Sequence, residues 1–406
     1  MRHVSLTDGV LVLRPPRPGD LDAIVAAVQD PEIPRWTSVP SPYGRADGEE
    51  WLGVSAPAGW ASGKEPVWHV CAADDPDLPL ASIGLHHLDL DTRTAEVGYW
   101  TAAPARGRGL TSDALRLLCC WAFDELRLER IGWQAYVGND ASLRVALKVG
   151  FVLEGTTRGR LVGNGRRHDG WIAGLLPSDL VDLGRPVTST WTEAASSDAD
   201  PADADPADAD AVRAHGVRAA DGRDAAVAPP DTEITAGAVH LRPWRDSDGD
   251  EIAAAITDPE ILQWNWFAGE GDTEAIARSW LRSRADWSDG KHASFATTDS
   301  TTGELLGGVS LHSLDLETRT GEIGYWAAPA ARGKGLTRTA VGAATRWGFA
   351  VLGLERLELW HALENEASCG VAVAAGYAHE ATTRASYRYG DRVRHDEHLH
   401  GRLATD

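Results

Sequence analysis

Two six-residue stretches carry residue types suited to anion chemistry. They are Arg106-Gly107-Arg108-Gly109-Leu110-Thr111 and, later, Arg332-Gly333-Lys334-Gly335-Leu336-Thr337. Glycines let the backbone come close to a ligand, and the first N–H groups of a helix have no intrahelical partner. The helix dipole and two flanking cations add attraction for negative charge, so a strand, this loop and a helix N-terminus together suit a phosphate. A single Gly-x-Gly flanked by cations is equally an ordinary turn among solvated charges. Its recurrence in the same context makes chance a poor account.

The elements that must position these loops are legible on either side. Each loop follows a strand-like run, Glu96-Val97-Gly98-Tyr99-Trp100 or Glu322-Ile323-Gly324-Tyr325-Trp326. Each also opens a helical pattern: Leu110, Ala114, Leu117/Leu118 and Trp121 fall on one helix face, as do Leu336, Ala340, Ala343/Ala344 and Trp347. Around them the coarse order in the first copy is a strand at 10–13, a helix at 20–29 and a Trp-rich helical region at 49–62. Strands follow at 67–73, 82–88 and 96–100, the last two joined by a hairpin turn at 91–94. The helix after the glycine loop runs to about 126, then come a strand at 130–136 and a helix at 140–149 stopped by Gly150. Strands at 151–157 and 168–175 close the copy. The pattern is a mixed α/β (α+β) layer fold with a largely antiparallel central sheet flanked by helices.

The whole pattern is duplicated. At an offset of 226 residues, Leu85-His86 matches Leu311-His312, Thr92-Arg93-Thr94 matches Thr318-Arg319-Thr320, and Asn139 matches Asn365. With a drift of a residue or two, Leu13-Arg14-Pro15 meets Leu241-Arg242-Pro243 and Arg167-His168-Asp169 meets Arg394-His395-Asp396. Each copy spans roughly 175 residues, and a repeat this long means two globular domains and not a solenoid. We place them at 1–185 and 234–406. The stretch between, 186–233, is rich in Asp, Ala and Pro and poor in bulky apolar residues, so it reads as a disordered acidic linker.

Composition bounds the function. Of 406 residues 43% are hydrophobic, enough for two ordinary cores, and the formal charge of −21 argues against nucleic acid or an anionic membrane as partner. An anionic ligand must therefore be held by local arginines and backbone dipoles. Cys71, Cys119, Cys120 and Cys369 show no metal-ligand or redox spacing, and His395, His398 and His400 alternate along one strand without a supporting carboxylate or Cys pattern; no metal is expected. With neither a signal core at the N-terminus nor a bilayer-length apolar segment, the expected compartment is the cytoplasm.

Each copy resembles the GNAT acyltransferase superfamily, in particular the RimJ/RimL-like branch of ribosomal-protein acetyltransferases. The residues that carry the resemblance are Glu-Val-Gly-Tyr-Trp at 96–100, the loop at 106–111, Leu-Glu-Arg-Ile at 128–131, Asn139-Asp140-Ala141-Ser142 and Lys148-Val149-Gly150-Phe151. The second copy repeats all but the last, reading Ala374-Ala375-Gly376-Tyr377. The resemblance implies transfer of an acetyl group from acetyl-CoA to an amine, either a protein N-terminus or a small molecule. It assigns coenzyme A to Val97, Gly98, Arg106, Gly107, Arg108, Gly109, Leu110, Thr111 and Asn139. In the second copy it assigns Ile323, Gly324, Arg332, Gly333, Lys334, Gly335, Leu336, Thr337 and Asn365. The sixth loop position is usually Gly or Ala in the superfamily; a Thr there is expected to cap free N–H groups.

The same resemblance places a thioester beside the strand at 96–100, its carbonyl polarised by backbone N–H groups where the Val97-Gly98 strand splays. Glu96 and Glu322 are candidate bases acting through water, against the alternative of a salt-bridged strand carboxylate. The superfamily's general-acid Tyr is replaced by Ala146 and Ala372, which leaves Ser142 and Ser368 as candidate acids, or else as helix-start caps. His86 and His312 read as structural, Asp169 and Asp396 as amine binders or buried hydrogen-bonding groups, and Arg158 and Arg384 as groove-lining. Trp36, Trp51, Trp60, Trp264, Trp280 and Trp287 are core residues or parts of an aromatic wall. A pseudo-dimer of the two domains is one expected arrangement, and a non-catalytic acyl-CoA sensor is the rival function.

Overall fold

The first sheet is built from short runs rich in β-branched and aromatic residues, which fit a pleated, half-buried surface. The computed structural model describes residues 1–163, 165–182, 184–192, 229–230, 232–265 and 272–406. They form two compact units: 1–156 with 163–192, and 229–406 with the short segment Thr157–Val162. In the first unit the elements are β1 (His3–Thr7), β2 (Leu11–Arg14), α1 (Leu21–Val28), α2 (Glu32–Trp36), α3 (Arg45–Glu50), α4 (Ala56–Ser62), β3 (Val67–Ala72), β4 (Ala81–Asp89) and β5 (Thr94–Thr101). Then follow α5 (Leu110–Asp124), β6 (Arg130–Tyr136), α6 (Asp140–Val149), β7 (Val152–Gly163, whose residues Thr157–Val162 belong to the second unit), β8 (Arg166–Leu175) and β9 (Thr188–Thr192). The strand order β9-β1-β2-β3-β4-β5-β6-β8 is antiparallel everywhere except β5–β6, which is parallel.

The second unit repeats this plan. Its elements are β10 (Ile234–Ala236), β11 (Val239–Pro243), α7 (Gly249–Ala255), α8 (Pro259–Trp264), α9 (Thr273–Ala285), β12 (Ala293–Asp299), β13 (Leu305–Asp315) and β14 (Thr320–Ala327). They continue with α10 (Leu336–Ala350), β15 (Arg356–Ala362), α11 (Glu366–Ala374), β16 (Ala378–Arg388) and β17 (Arg394–Leu403). The order is β10-β11-β12-β13-β14-β15-β17-β16, again with one parallel pair, β14–β15.

Two strands were not expected. β1 lies at the N-terminal end, and β9 occupies 188–192, inside the stretch assigned to the acidic linker; its Trp191 pairs in register with Val4. The linker's start is corrected accordingly, and residues 193–228 lie outside the described residues. The reason is that five residues alternating Thr, Ser and Trp can pair with an edge strand without supplying a buried face of their own.

The cores explain the rest. In α5 the spacing of Leu110, Ala114, Leu117, Leu118 and Trp121 buries one face against the sheet, each residue at most 8% exposed. Trp68 meets Trp60 and Trp121 edge to face, with ring centres 4.7 and 5.6 Å apart, and its indole N–H donates to the Val4 carbonyl. Truncating Leu117 to Ala would cost about 3 kcal/mol by lost transfer and cavity formation. The repeated Leu-Arg-Pro is also accounted for: Arg14 grips Asp20 through two nitrogens at 2.7 and 2.8 Å, and Arg242 grips Asp248 at the same distances. Each pair is buried and ties a strand to the helix that follows.

Candidate active site

The glycine loop folds as its composition requires. Gly107 and Gly109 have φ of +74° and +80°, Gly333 and Gly335 +71° and +73°, a backbone region that other residues enter only at a cost. Gly109 and Gly335 are the N-caps of α5 and α10, and neither helix start has a side-chain cap. Beside the Cα of Gly107 and of Gly333 there is open space where a Cβ would stand. The first N–H groups of both helices are thus presented by an open loop, which fits an oxyanion. Thr111 does not cap them as expected: its hydroxyl lies 2.7 Å from that of Thr101 on β5, which satisfies it laterally.

The cations divide into two kinds. Arg106 is bound to Asp30 at 2.6 Å and donates to the Thr101 carbonyl; Arg332 is bound to Asp258 and Glu260, both at 2.7 Å. These arginines brace the loop against the segment before α2 or α8. Arg108 and Lys334 are exposed, with no carboxylate partner among the described residues. In the first copy Lys148, at the end of α6, brings its ammonium to 3.7 Å from where a Gly109 Cβ would be. Lys148 entered the sequence reading only as a family motif, and its place over the loop depends on how α6 packs.

The parallel strands part where the resemblance requires. β5 pairs with β6 from Thr94 to Val97, although β5 runs on to Thr101 and β6 to Tyr136; β14 and β15 pair only from Thr320 to Glu322. Glu96, half-buried, accepts a hydrogen bond from the Gln134 amide at 2.8 Å. Glu322 is buried and faces Glu358 across the parallel pair. Burial disfavours charge on Glu358, but Arg160 and Arg356 outweigh it and hold the carboxyl down at about 2.

At the mouth of the splay the candidate acid Ser142 has a partner that the sequence reading missed, Tyr99. The Ser142 hydroxyl donates to the Tyr99 oxygen at 3.1 Å, Tyr99 donates to the Ser142 carbonyl, and the Trp133 indole N–H donates to Tyr99. In the second copy the Tyr325 and Ser368 hydroxyls lie 2.6 Å apart. Burial raises both phenols well above their usual range, so each keeps its proton at neutral pH. The helix cap is not Ser142 or Ser368: Asn139 and Asn365 accept the N–H of Ser142 and Ser368 through their side chains, which leaves the serine hydroxyls available. The signal for Tyr99 was present, since Tyr recurs in both copies beside the Glu-x-Gly motif.

His86 is also better placed than a structural strand histidine. It stands opposite Glu96 in the β4–β5 register, and a Cβ on Gly98 would meet its Nε2 at 2.9 Å. A bulge, with His87 at φ +50°, turns the ring over the strand; Ser313 makes the same bulge beside His312. Burial pulls the His86 imidazole down, but Glu65, 2.5 Å away, more than reverses this and raises it.

Both halves of the chain match the sequence profile of the Acetyltransferase (GNAT) domain, at residues 11–152 and 238–378. The chain belongs to the GNAT acetyltransferase family. Among curated relatives, the Bacillus subtilis protein named "Putative ribosomal N-acetyltransferase YdaF" is 45% identical over 87 residues, 21% of this chain and 48% of its own length. "Uncharacterized N-acetyltransferase YoaA" from the same organism is 28% identical over 159 residues, 39% of this chain and 89% of its own length. The chain thus spans about half the length of the first of these relatives. A solved GNAT-family acetyltransferase from Bacillus anthracis is 20% identical and covers 43% of this chain and all of its own, with a TM-score of 0.38.

Other candidate residues of this GNAT chain have contacts of their own. The Asp169 carbonyl accepts from the Val137 N–H and its side chain is exposed, whereas the Asp396 carboxylate accepts the N–H of Ala385. Arg158 binds Glu380 and Asp406 within the second unit. Trp60 and Trp287 are core, Trp51 stacks on the His69 ring, and Trp36 lies against Gly138. No helix among the described residues is long and apolar enough to cross a membrane.

Proposed function

We propose that each copy transfers an acetyl group from acetyl-CoA to a primary amine. The observation that carries this reading is the uncapped helix start behind two positive-φ glycines, present in both copies beside a parallel strand pair that splays. Gly107, Arg108, Gly109, Leu110 and Thr111 hold the pyrophosphate through backbone N–H groups and one exposed cation, with Lys148 adding a second. The thioester supplies the activated acyl group. Backbone N–H groups of the strand beyond Val97 take up negative charge on its carbonyl oxygen. Glu96, kept in place by Gln134, draws a proton from the incoming ammonium through water. As the C–N bond forms and the C–S bond breaks, the thiolate regains a proton from the Ser142–Tyr99 pair. Glu322, Ser368 and Tyr325 do the same in the second copy, with Ile323, Gly324 and the loop from Arg332 to Thr337 in the binding role.

The finer reading concerns the acceptor. The net charge of −21 favours a cationic amine, and the likeness to a relative named for ribosomal acetylation makes a protein N-terminal amine the first class to test. The test is calorimetric titration of acetyl-CoA into wild type, Gly109→Asp and Gly335→Asp, followed by a thiol-release screen over amines and N-terminal peptides. Two sites, each lost with its own substitution, are expected. Absence of binding would overturn the reading, and binding without turnover on any amine would favour an acyl-CoA sensor.

A further inference from the structure

Among the described residues, the second copy holds a cluster that the first copy lacks. β15 and β17 pair with His361 directly opposite His398, so both rings and that of His400, two residues along β17, share one face of the sheet. α11 brings Cys369 to the same face. One donor atom from each of these four residues lies within 4.8 Å of every other. His361 and His400 are buried, while Cys369 and His398 are partly exposed, which leaves a route inward. The corresponding residues of the first copy are Ala135, Leu143, Trp171 and Ala173, an apolar set packed in or against the core with no metal-ligating atom.

The hydrogen bonds fix which nitrogens face inward. His361 donates from Nδ1 to the Ala362 carbonyl at 2.8 Å, and His400 Nδ1 faces the Tyr377 carbonyl at 3.4 Å. Each ring then turns its Nε2 lone pair toward the other, and these two atoms are 3.2 Å apart. Two acceptors at that distance repel unless something positive sits between them. The Cys369 sulfur lies 3.9 Å from His400 Nε2, and His398 Nδ1 is buried with no hydrogen-bond partner. On a tetrahedral zinc ion two nitrogens stand about 3.3 Å apart, and a nitrogen and a sulfur about 3.6 Å apart. Imidazoles whose outer N–H is taken by a backbone carbonyl are the usual form of such ligands.

We propose that His361, Cys369, His398 and His400 form a four-coordinate site for a divalent transition metal, zinc in the first instance, built into the second copy alone. The proposal departs from the expectation of no metal drawn from spacing. The ligands lie on three elements, and only the pairing of β15 with β17 under α11 assembles them. Cys369 directly follows Ser368, so a bound ion would fasten the start of α11 against the sheet.

The test uses the untagged full chain, stripped with chelator and titrated with Co²⁺ as a spectroscopic stand-in, then with Zn²⁺ to displace it. The expected result is one equivalent of tetrahedral Co²⁺ with visible d–d bands and a near-ultraviolet thiolate charge-transfer band. Cys369→Ser should lose the charge-transfer band alone, and His361→Ala with His400→Ala should lose both. His398→Ala, at the partly exposed ligand, guards against a folding artefact, and circular dichroism with acetyl-CoA binding by the first copy certifies each variant. Absence of cobalt bands in wild type, or unchanged bands in a folded double variant, would overturn the proposal.

Discussion

In the first copy Lys148 reaches over the glycine loop, Glu65 grips His86 and Gln134 engages Glu96. In the second copy Ala374, His292 and Trp360 stand in those places, His312 Nδ1 lies 3.3 Å from the Ser313 hydroxyl, and a cluster of histidines flanks α11. Yet both copies keep the positive-φ glycines, the bulge, the parting of the parallel strands and the Tyr–Ser contact. Devices made by the backbone depend on glycine positions and strand register, so they survive duplication together. Side chains around them are replaced one at a time, because each is held by only one or two neighbours.

Each copy can be isolated by placing Gly109→Asp or Gly335→Asp in the other. The largest effect is expected from Tyr99→Phe and Tyr325→Phe, which should lower kcat of the affected copy about 10³-fold with KM nearly unchanged, as for loss of a positioned acid. Tyr99→Phe should also cost about 1–3 kcal/mol in a thermal melt, since Trp133 and Ser142 both lose an acceptor, whereas Tyr325→Phe should cost less. An equal melting shift in the two variants would break the comparison.

Gly98→Ala should lower kcat about 10²-fold, because its Cβ would displace His86 from the strand proposed to hold the thioester carbonyl. Gly324→Ala, with a looser approach of 3.1 Å to His312, should cost less. Lys148→Ala should weaken acetyl-CoA at the first site about 5-fold, near 1 kcal/mol, and Ala374→Lys should strengthen the second by a similar factor in calorimetry.

The smallest effect is a pH window. The Glu65 carboxyl is held below its ordinary value, so its contribution to stability is present above 4.5 and lost as pH falls through the lowered value. His86 is raised, so its contribution is complete below 6.5 and lost as pH rises through the raised value. The melting difference between wild type and Glu65→Gln should therefore peak between about pH 4.5 and 6.5 and shrink on either side. The matching substitution His292→Gln should show no such peak.

Much of the fold was legible because it rests on local signals. The glycine loop, the α5 face and the 226-residue offset each lie within a short window or repeat wholesale. What escaped reading depends on partners far apart in the chain. Arg106 looks like a phosphate ligand until Asp30 is beside it, and Tyr99 looks like a core aromatic until Ser142 arrives from α6. The Thr188–Thr192 strand is too polar to announce itself without β1 to pair with. His361 and His400 are 39 residues apart, and no spacing rule joins them.

The bracing of Arg106 by Asp30 and of Arg332 by Asp258 also sets how the loops answer to ionic strength. Those guanidinium charges are already compensated inside the fold, so they contribute shape and little net field. Screening by salt acts on the uncompensated charge, which is Arg108 with Lys148 in one loop and Lys334 with Arg338, its guanidinium 3.9 Å from where a Gly335 Cβ would stand, in the other. Each loop thus has two charges for salt to screen, and the two sites should lose affinity in parallel as salt is added, although the second cation comes from the end of α6 in one copy and from the first turn of α10 in the other.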